Sequence, residues 1–319
     1  MKKLRAIVVG AGSFGATHVR VISQLEDVEL AAIVDSNRQR AEELAAQFHT
    51  AAFTDLDQVL AADAAGQIDA AIVVTPTRSH EAVATQLLRA GIDVLVEKPI
   101  ASSSEEGERL TQLAAERSRI LQVGHLERFN PAVIELERRV TVPLFFEVHR
   151  LSLFTPRSLD IDVVLDLMIH DLDIILTLTQ EKPIEIRAAG ISVLSKKVAI
   201  ANVRLAFPSG CIANLTASRV STEKVRKLRL FQPNQFISLD YERQDAVAFS
   251  VNPKADGAPD IGFGSLSVEK AEPLYLELGS FFTAVRTRSA PRVDGQQATE
   301  ALRLAEDILA KIKEHGDLV

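Results

Sequence analysis

Leu4-Arg5-Ala6-Ile7-Val8-Val9-Gly10-Ala11-Gly12-Ser13-Phe14-Gly15 is the stretch that decides the fold. An apolar run of strand type enters a G-x-G-x-x-G loop, and helical sequence follows to about Glu26. The next apolar run, Val28–Val34, ends in Asp35, twenty residues past Gly15. Glycines in that order mean little alone. Between a buried strand and a helix, with an acid at that distance, they read as a dinucleotide-binding turn. The glycines permit the tight turn and let the backbone approach a pyrophosphate at the helix N-terminus. Gly10, Gly12, Ser13, Phe14 and Gly15 are therefore the expected cofactor-side residues of the loop. Asp35 is placed to accept from the adenosine ribose hydroxyls, where a 2′-phosphate would meet like charge. NAD is favoured over NADP, although Arg38 and Arg40 follow closely and keep NADP from being excluded.

Outward from this turn the alternation continues. Glu42–Phe48 reads as helix, and Asp69–Val74 as a buried strand ending in Thr75-Pro76-Thr77. Arg78–Ala90 is a helix stopped by Gly91. Ile92–Val96 is a strand ending in Glu97-Lys98-Pro99, Ser103 with Glu106 forms a capping box for a helix to about Arg117, and Ile120–Val123 is a further strand. Alternating strands and helices imply a doubly wound parallel sheet, whose ligands lie beyond the carboxyl ends of the strands. Gly10, Asp35, Thr75, Lys98 and Gly124 all fall at such ends.

After Pro131 the pattern changes. Leu144–Leu153, Pro183–Leu194, Val198–Phe207, Cys211–Arg219, Val225–Phe231, Gln235–Asp240 and Gln244–Val251 read as successive strands of an antiparallel sheet. Asn252–Gly264 reads as a loop or a partly ordered segment. Helices of about Leu274–Arg286 and Gly295–Lys313 close the chain. The fold class is thus α/β plus α+β, with a cofactor-binding domain over 1–123 and an open, mostly antiparallel sheet with flanking helices over 124–319. A broad apolar sheet face needs a cover, and a second subunit is the simplest one. A homodimer or homotetramer is expected.

Composition narrows the function classes. At 319 residues the chain fits about two domains. Its net charge of −7 argues against a nucleic-acid partner. The single Cys211 excludes an intramolecular disulfide and metal sites built on paired cysteines. The N-terminal apolar run is too short for a signal peptide, and no run approaches the roughly 18 apolar residues of a membrane span. The expectation is a cytoplasmic protein with no membrane partner.

One further stretch carries chemistry. Val163–Leu176 is an apolar helix with Asp166, His170 and Asp173 at i, i+4 and i+7, a polar stripe on one face. A carboxylate one turn from an imidazole can hold one tautomer and support the imidazolium, which is general-base equipment. A zinc site wants about three protein ligands. The helix supplies only this one face, so no metal is expected.

Four motifs in order resemble the glucose–fructose oxidoreductase/inositol dehydrogenase family. They are the loop at Gly10–Gly15, Glu97-Lys98-Pro99, Gly124-His125-Leu126-Glu127-Arg128-Phe129-Asn130-Pro131, and Asp166-x-x-x-His170. Glu272-Pro273-Leu274 also looks like that family. The resemblance covers nearly the whole chain and implies a Rossmann domain followed by an open sheet for substrate binding and assembly. By resemblance, Lys98 reaches the substrate hydroxyl and the nicotinamide ribose, and Asp166 with His170 acts on the hydroxyl whose carbon loses hydride to NAD. A base must take the hydroxyl proton, and an ammonium steadies the developing oxyanion. Thr75, Pro76 and Glu97 are placed on the cofactor side; His80 and His125 stay open.

The motifs look most like the branch of sugar-nucleotide 3-dehydrogenases acting on UDP-N-acetylglucosamine, whose 3-keto product passes to an aminotransferase. Arg128, Arg157 and Arg150 are then candidates for the substrate diphosphate, because arginine forks match phosphate oxygens. A dehydrogenase of free sugars or cyclitols, a non-catalytic NAD-binding regulator, and a glycosidase using tightly held NAD are the alternatives. Lys98, Asp166 and His170 together speak against the regulator.

Overall fold

The parallel sheet forms as the alternation requires. In the computed structural model, which describes residues 2–63, 67–155, 160–193, 195–252 and 259–316, six parallel strands stand in the order β3-β2-β1-β4-β5-β6. They are β1 (Leu4–Val9), β2 (Val28–Val34), β3 (Ala51–Phe53), β4 (Ala70–Val73), β5 (Asp93–Glu97) and β6 (Leu121–Gly124). The central strands are buried throughout, as expected of a parallel sheet covered on both faces. The crossover helices are α1 (Ser13–Ile22), α2 (Arg38–Gln47), α3 (Leu56–Ala62), α4 (His80–Arg89) and α5 (Ser104–Glu116). Local chemistry sets their starts: the side chains of Asn37, Asp55 and Ser103 accept from first-turn backbone N–H groups.

The chain divides into two compact units, but not at residue 123. The first comprises Met1–Leu126 with Glu272–Glu300; the second comprises Glu127–Ala271 with Ala301–Val319. Glu272–Glu300, which the sequence reading assigned to the second domain, therefore belongs to the first. The reason is packing. Helix α8 (Pro273–Thr287) places Leu274, Leu278, Phe281, Phe282 and Val285 in one core with Val8, Ile22, Ile33 and Ile72.

In the second unit eight strands form one sheet, ordered β14-β13-β12-β11-β7-β10-β9-β8. They are β7 (Phe145–Leu153), β8 (Glu185–Ile191), β9 (Ile200–Ala206), β10 (Ile212–Ser221), β11 (Val225–Gln232), β12 (Gln235–Asp240), β13 (Asp245–Asn252) and β14 (Asp260–Ser265). Neighbours are antiparallel except β7 with β10, which run parallel. The loop expected over 252–264 ends instead in β14, which pairs with β13 from Asn252↔Asp260 to Val247↔Ser265. Residues 253–258 lie outside the described residues.

The alternation of these strands turns one face inward. Phe146, Val148, Val203, Leu205, Leu215, Leu228, Leu230, Ile237 and Leu239 form the core with α6 (Pro131–Glu137) and α7 (Ile169–Thr179). The helix expected from Val163 is not regular. Val164–Met168 is a π-helical turn, and α-helix begins only at Ile169. The last helix, α9, spans Gly295–Gly316. Among the described residues no helix is long and apolar enough to cross a membrane.

Candidate active site

In the first unit the glycines of the loop have three different tasks. Gly10 has φ +112°, and a Cβ there would stand 2.5 Å from the Val74 carbonyl oxygen. A Cβ on Gly15 would lie 1.9 Å from the Gly10 carbonyl oxygen, so that glycine allows helix and loop to touch. Gly12 differs. Its backbone is extended, nothing lies within 4 Å of a Cβ built on it, and it gives α1 no side-chain cap. The helix start is open, with Ser13 and Phe14 exposed in its first turn. Unsatisfied N–H groups and the positive end of the helix suit a phosphate there.

Asp35, at the end of β2, braces this loop. One carboxylate oxygen accepts from Ala11 N at 2.7 Å and the other from Asn37 N at 2.7 Å. The open cradle at Gly12 and an acid fixed beside it fit a dinucleotide. Arg40 is exposed in the first turn of α2, and its backbone N donates to the Asn37 side chain. Thr75 is half-buried at the end of β4; its hydroxyl is buried without a hydrogen-bond partner among the described residues. Pro76 is exposed beside it.

His80, left open by the sequence, bridges two strand-end loops. Its Nε2 lies 2.8 Å from Thr75 O and its Nδ1 2.9 Å from Pro99 O. Burial lowers its pKa, against the pull of these two carbonyls and of the Glu97 charge. Lys98, half-buried, sits just before Pro99.

The carboxylate of Glu97, expected on the cofactor side, accepts from Lys98 N at 3.2 Å and lies 2.9 Å from the fully buried His18. Glycine at 124 makes room for it, since a Cβ there would meet all three carboxyl atoms at 2.8 Å. Behind it lies Glu277 of α8, buried, with its pKa raised well above the ordinary range by burial and then by the charge of Glu97.

In the second unit Asp166 and His170 stand on either side of the change from π- to α-helix, and both are half-buried. Asp173 and Asp171, expected to serve hydrogen bonding or caps and not the chemistry, both meet arginines. Asp173 is buried and lies 3.5 Å from the Arg128 guanidinium. Asp171 takes a bidentate hydrogen bond from buried Arg150, at 2.7 and 2.9 Å. Arg150 also donates to Glu127 at 2.9 Å and covers the Tyr241 ring, 4.8 Å from its centroid. Arg128 is held by Glu137 at 3.2 Å and by the Thr177 hydroxyl.

Arg128 and Arg150 thus carry internal ion pairs. Arg157 lies outside the described residues. The basic groups that face open space are others. A cavity of about 350 Å³ in this unit is lined by Ser152, Thr155, Asp166, Arg219 and Lys224, among others. Arg219 is only 7% exposed, and its guanidinium lies 3.6 Å from Asp166 Oδ2. A charged residue in the alternating strand Cys211–Arg219 was the available signal for it. His18 gave none, being one polar residue on the buried side of α1. Among the described residues no group of three or more His, Cys, Asp or Glu side chains could hold a metal ion.

Comparison with known proteins finds a family match in each half of the chain. The model of an oxidoreductase family with an NAD-binding Rossmann fold matches residues 4–125, and that of the GFO/IDH/MocA C-terminal domain matches residues 145–232. UDP-N-acetylglucosamine 3-dehydrogenase of Acidithiobacillus ferrooxidans is 33% identical over 315 residues, 98% of each chain. A solved structure of that enzyme superimposes with a TM-score of 0.90, covering 98% of this chain and 99% of the other. An inositol 2-dehydrogenase of Rhizobium meliloti is 23% identical over 96% of each chain. An oxidoreductase of Agrobacterium radiobacter, solved with NAD⁺, L-tartaric acid and magnesium, shares the fold at a TM-score of 0.85 and 15% identity over the whole of both chains.

Proposed function

This chain belongs to the GFO/IDH/MocA family of NAD-dependent oxidoreductases acting on CH–OH groups, and from that premise we propose that it oxidises the 3-hydroxyl of a sugar nucleotide such as UDP-N-acetylglucosamine to the 3-keto sugar. NAD, when bound, accepts the hydride from the carbinol carbon. Gly10, Gly12, Ser13, Phe14, Gly15, Asp35, Arg40, Thr75 and Pro76 form its side of the site in this reading. His170 takes the hydroxyl proton, Asp166 supports the imidazolium that results, and the Lys98 ammonium steadies the developing oxyanion.

The observation that carries the sugar-nucleotide reading is the cavity beside Asp166. A nearly buried guanidinium there, with Lys224 at the same cavity, suits a substrate that brings negative charge. Lys224 is paired with Glu242 at 2.7 Å, both half-exposed, and such a surface pair exchanges for a phosphate at little cost. A neutral cyclitol would bring no counter-charge to this cavity. Arg219 and Lys224 replace Arg128, Arg150 and Arg157 as the phosphate contacts in this proposal.

A panel of UDP-sugars, free sugars and cyclitols with NAD, followed at the NADH absorbance, tests it. Turnover with UDP-N-acetylglucosamine and not with inositol is expected. The reverse preference would overturn the substrate assignment and favour the cyclitol reading, which the inositol dehydrogenase relative supports. The 3-keto product would be the substrate of an aminotransferase, the partner reaction we assign to it.

We also propose that a second copy covers the outer face of the eight-stranded sheet. Phe145, Phe231, Phe236, Phe249 and Phe263 stand directly opposite one another across β7, β11, β12, β13 and β14. Successive ring centroids are 5.7, 4.7, 6.2 and 4.4 Å apart. Phe263 is 64% exposed and its neighbour Ile261 66%. A row of aromatic rings on solvent is an association surface. Sedimentation should give a dimer or tetramer, and a parent protein that is monomeric at micromolar concentration would refute the assignment.

A further inference from the structure

We propose that His18 is a positioning residue for Lys98, acting through the Glu97 carboxylate. The inference rests on the reading in which Lys98 acts on the substrate hydroxyl.

Lys98 stands where the support of β5 ends, since the last register pair of that strand with β6 is Glu97↔Gly124. Beyond it the backbone must be held by other means. Glu97 supplies one of them: its Oε2 accepts from the Lys98 backbone N–H at 3.2 Å. The carboxylate can do this only if it is itself immobile. On one side it lies against Gly124, where even a Cβ would be 2.8 Å away. On the other, Oε1 is 2.9 Å from His18 Nε2.

His18 is wholly buried, and its Nδ1 has no hydrogen-bond partner among the described residues. With an acceptor at Nε2 and none at Nδ1, the ring carries its proton on Nε2 and donates it to Glu97. One turn earlier on α1, the exposed ring of Phe14 stands edge-on to His18, with centroids 4.9 Å apart at 79°. The helix that opens on the cofactor loop thus reaches the Lys98 backbone through three contacts: Phe14 to His18, His18 to Glu97, Glu97 to Lys98.

Two other titratable groups face Glu97. Glu277 approaches from α8, and His80 approaches from α4 while also holding Pro99 O. Without the His18 N–H, Glu97 would keep Glu277 as its buried neighbour and lose a donor, so the carboxylate would be free to turn and release the Lys98 N–H.

The test uses the full chain with NAD and the CH–OH substrate the parent turns over best. His18→Ala, His18→Gln and Lys98→Met are compared by kcat, KM, the pH profile of kcat, melting temperature and the calorimetric Kd for NAD. His18→Ala should lower kcat about thirtyfold, as small misplacements of a reacting group do. Its pH profile should shift, and its NAD Kd should stay within about threefold of the parent, a change of under about 1 kcal/mol. His18→Gln, whose amide N–H can still donate to Glu97, should recover most of the loss.

A His18→Ala protein with parental kcat and pH profile would overturn the proposal. So would His18→Gln losing as much as His18→Ala with a matching rise in NAD Kd, the signature of a merely structural residue. Lys98→Met with parental turnover would sink the functional reading and the proposal with it; loss only in Lys98→Met sinks the proposal alone. Nitrogen-15 spectra of the ligand-free parent give a check that needs neither activity nor a variant. The His18 ring is expected as the Nε2–H form, and an Nδ1–H ring would refute the hydrogen bond on which the relay depends.

Discussion

Replacing Gly12 by alanine separates folding from cofactor binding, because the methyl group enters open space. Nothing lies within 4 Å of that Cβ, and φ −68° with ψ −177° is a backbone any residue adopts. On the folding side two small terms oppose each other. Alanine restricts the unfolded chain, which favours folding by about 0.4–1 kcal/mol. It is also the poorer N-cap, by a comparable amount. Net stability should therefore move by less than about 1 kcal/mol, a shift of about 4 °C or less in melting temperature.

On the binding side the methyl stands where a pyrophosphate approaches the uncapped start of α1. A hydrogen bond from backbone N–H to a charged group contributes about 1.5–3 kcal/mol. Displacing one or two of them costs about 3 kcal/mol and raises the NAD Kd by about 150-fold. Titration calorimetry is the suitable assay, since the chain has no tryptophan to report binding by fluorescence. A Gly12→Ala protein that binds NAD like the parent would refute the placement of the pyrophosphate. Gly15→Ala is the control: its Cβ would be 1.9 Å from a backbone oxygen, so it should lose stability itself.

Further outcomes follow from the buried charges. Arg150→Ala leaves Asp171 and Glu127 without their guanidinium in the interior of the second unit, and denaturant titration should show a loss of about 3–5 kcal/mol. Glu277 binds its proton more tightly folded than unfolded, so its contribution to stability is complete below the ordinary carboxylate range and lost as pH rises through its elevated folded value. Glu277→Gln should accordingly raise the melting temperature at neutral pH and leave it little changed near pH 4; an equal effect at both would mean the carboxyl is not protonated in the fold. His170→Ala should reduce turnover about 10²- to 10⁴-fold, the usual worth of a general base. Its NAD Kd should stay close to the parent's, and equal loss of NAD binding would mark the residue as structural.

Much of the first unit was legible because its signals are local. A parallel strand buried on both faces, such as Ala70–Val73, shows as an unbroken apolar run, and the cap at Ser103 lies beside the helix it starts. Helix α2, in contrast, begins at Arg38 behind its Asn37 cap and not at Glu42 as expected. Strand β3 escaped detection because three residues carry no period. Strand β14 was hidden because Gly262 and Gly264 read as loop, although an edge strand needs only a partner's ladder. The allegiance of α8 was out of reach, since amphipathicity shows that a helix buries a face and not which core receives it.

The base helix shows the same limit within one element. Asp166, His170 and Asp173 share a face only if every turn has α geometry. The π-helical turn at Val164–Met168 breaks that register. The internal ion pairs of Arg128 and Arg150 were out of reach for a related reason. A guanidinium looks the same in sequence whether it meets a substrate phosphate or, like Arg150, an internal carboxylate.

The divided first unit has a consequence for the order of synthesis. Its core needs Leu274, Leu278, Phe281, Phe282 and Val285, yet the second unit's Glu127–Ala271 is translated in between. At the usual ribosomal speed those residues occupy roughly 7 to 30 s. For that interval the nascent Rossmann sheet carries an uncovered apolar flank, and only the emergence of α8 closes it. A ribosome stalled before residue 273 would therefore display an unfinished cofactor domain, open to chaperones and to proteases, however complete its glycine loop.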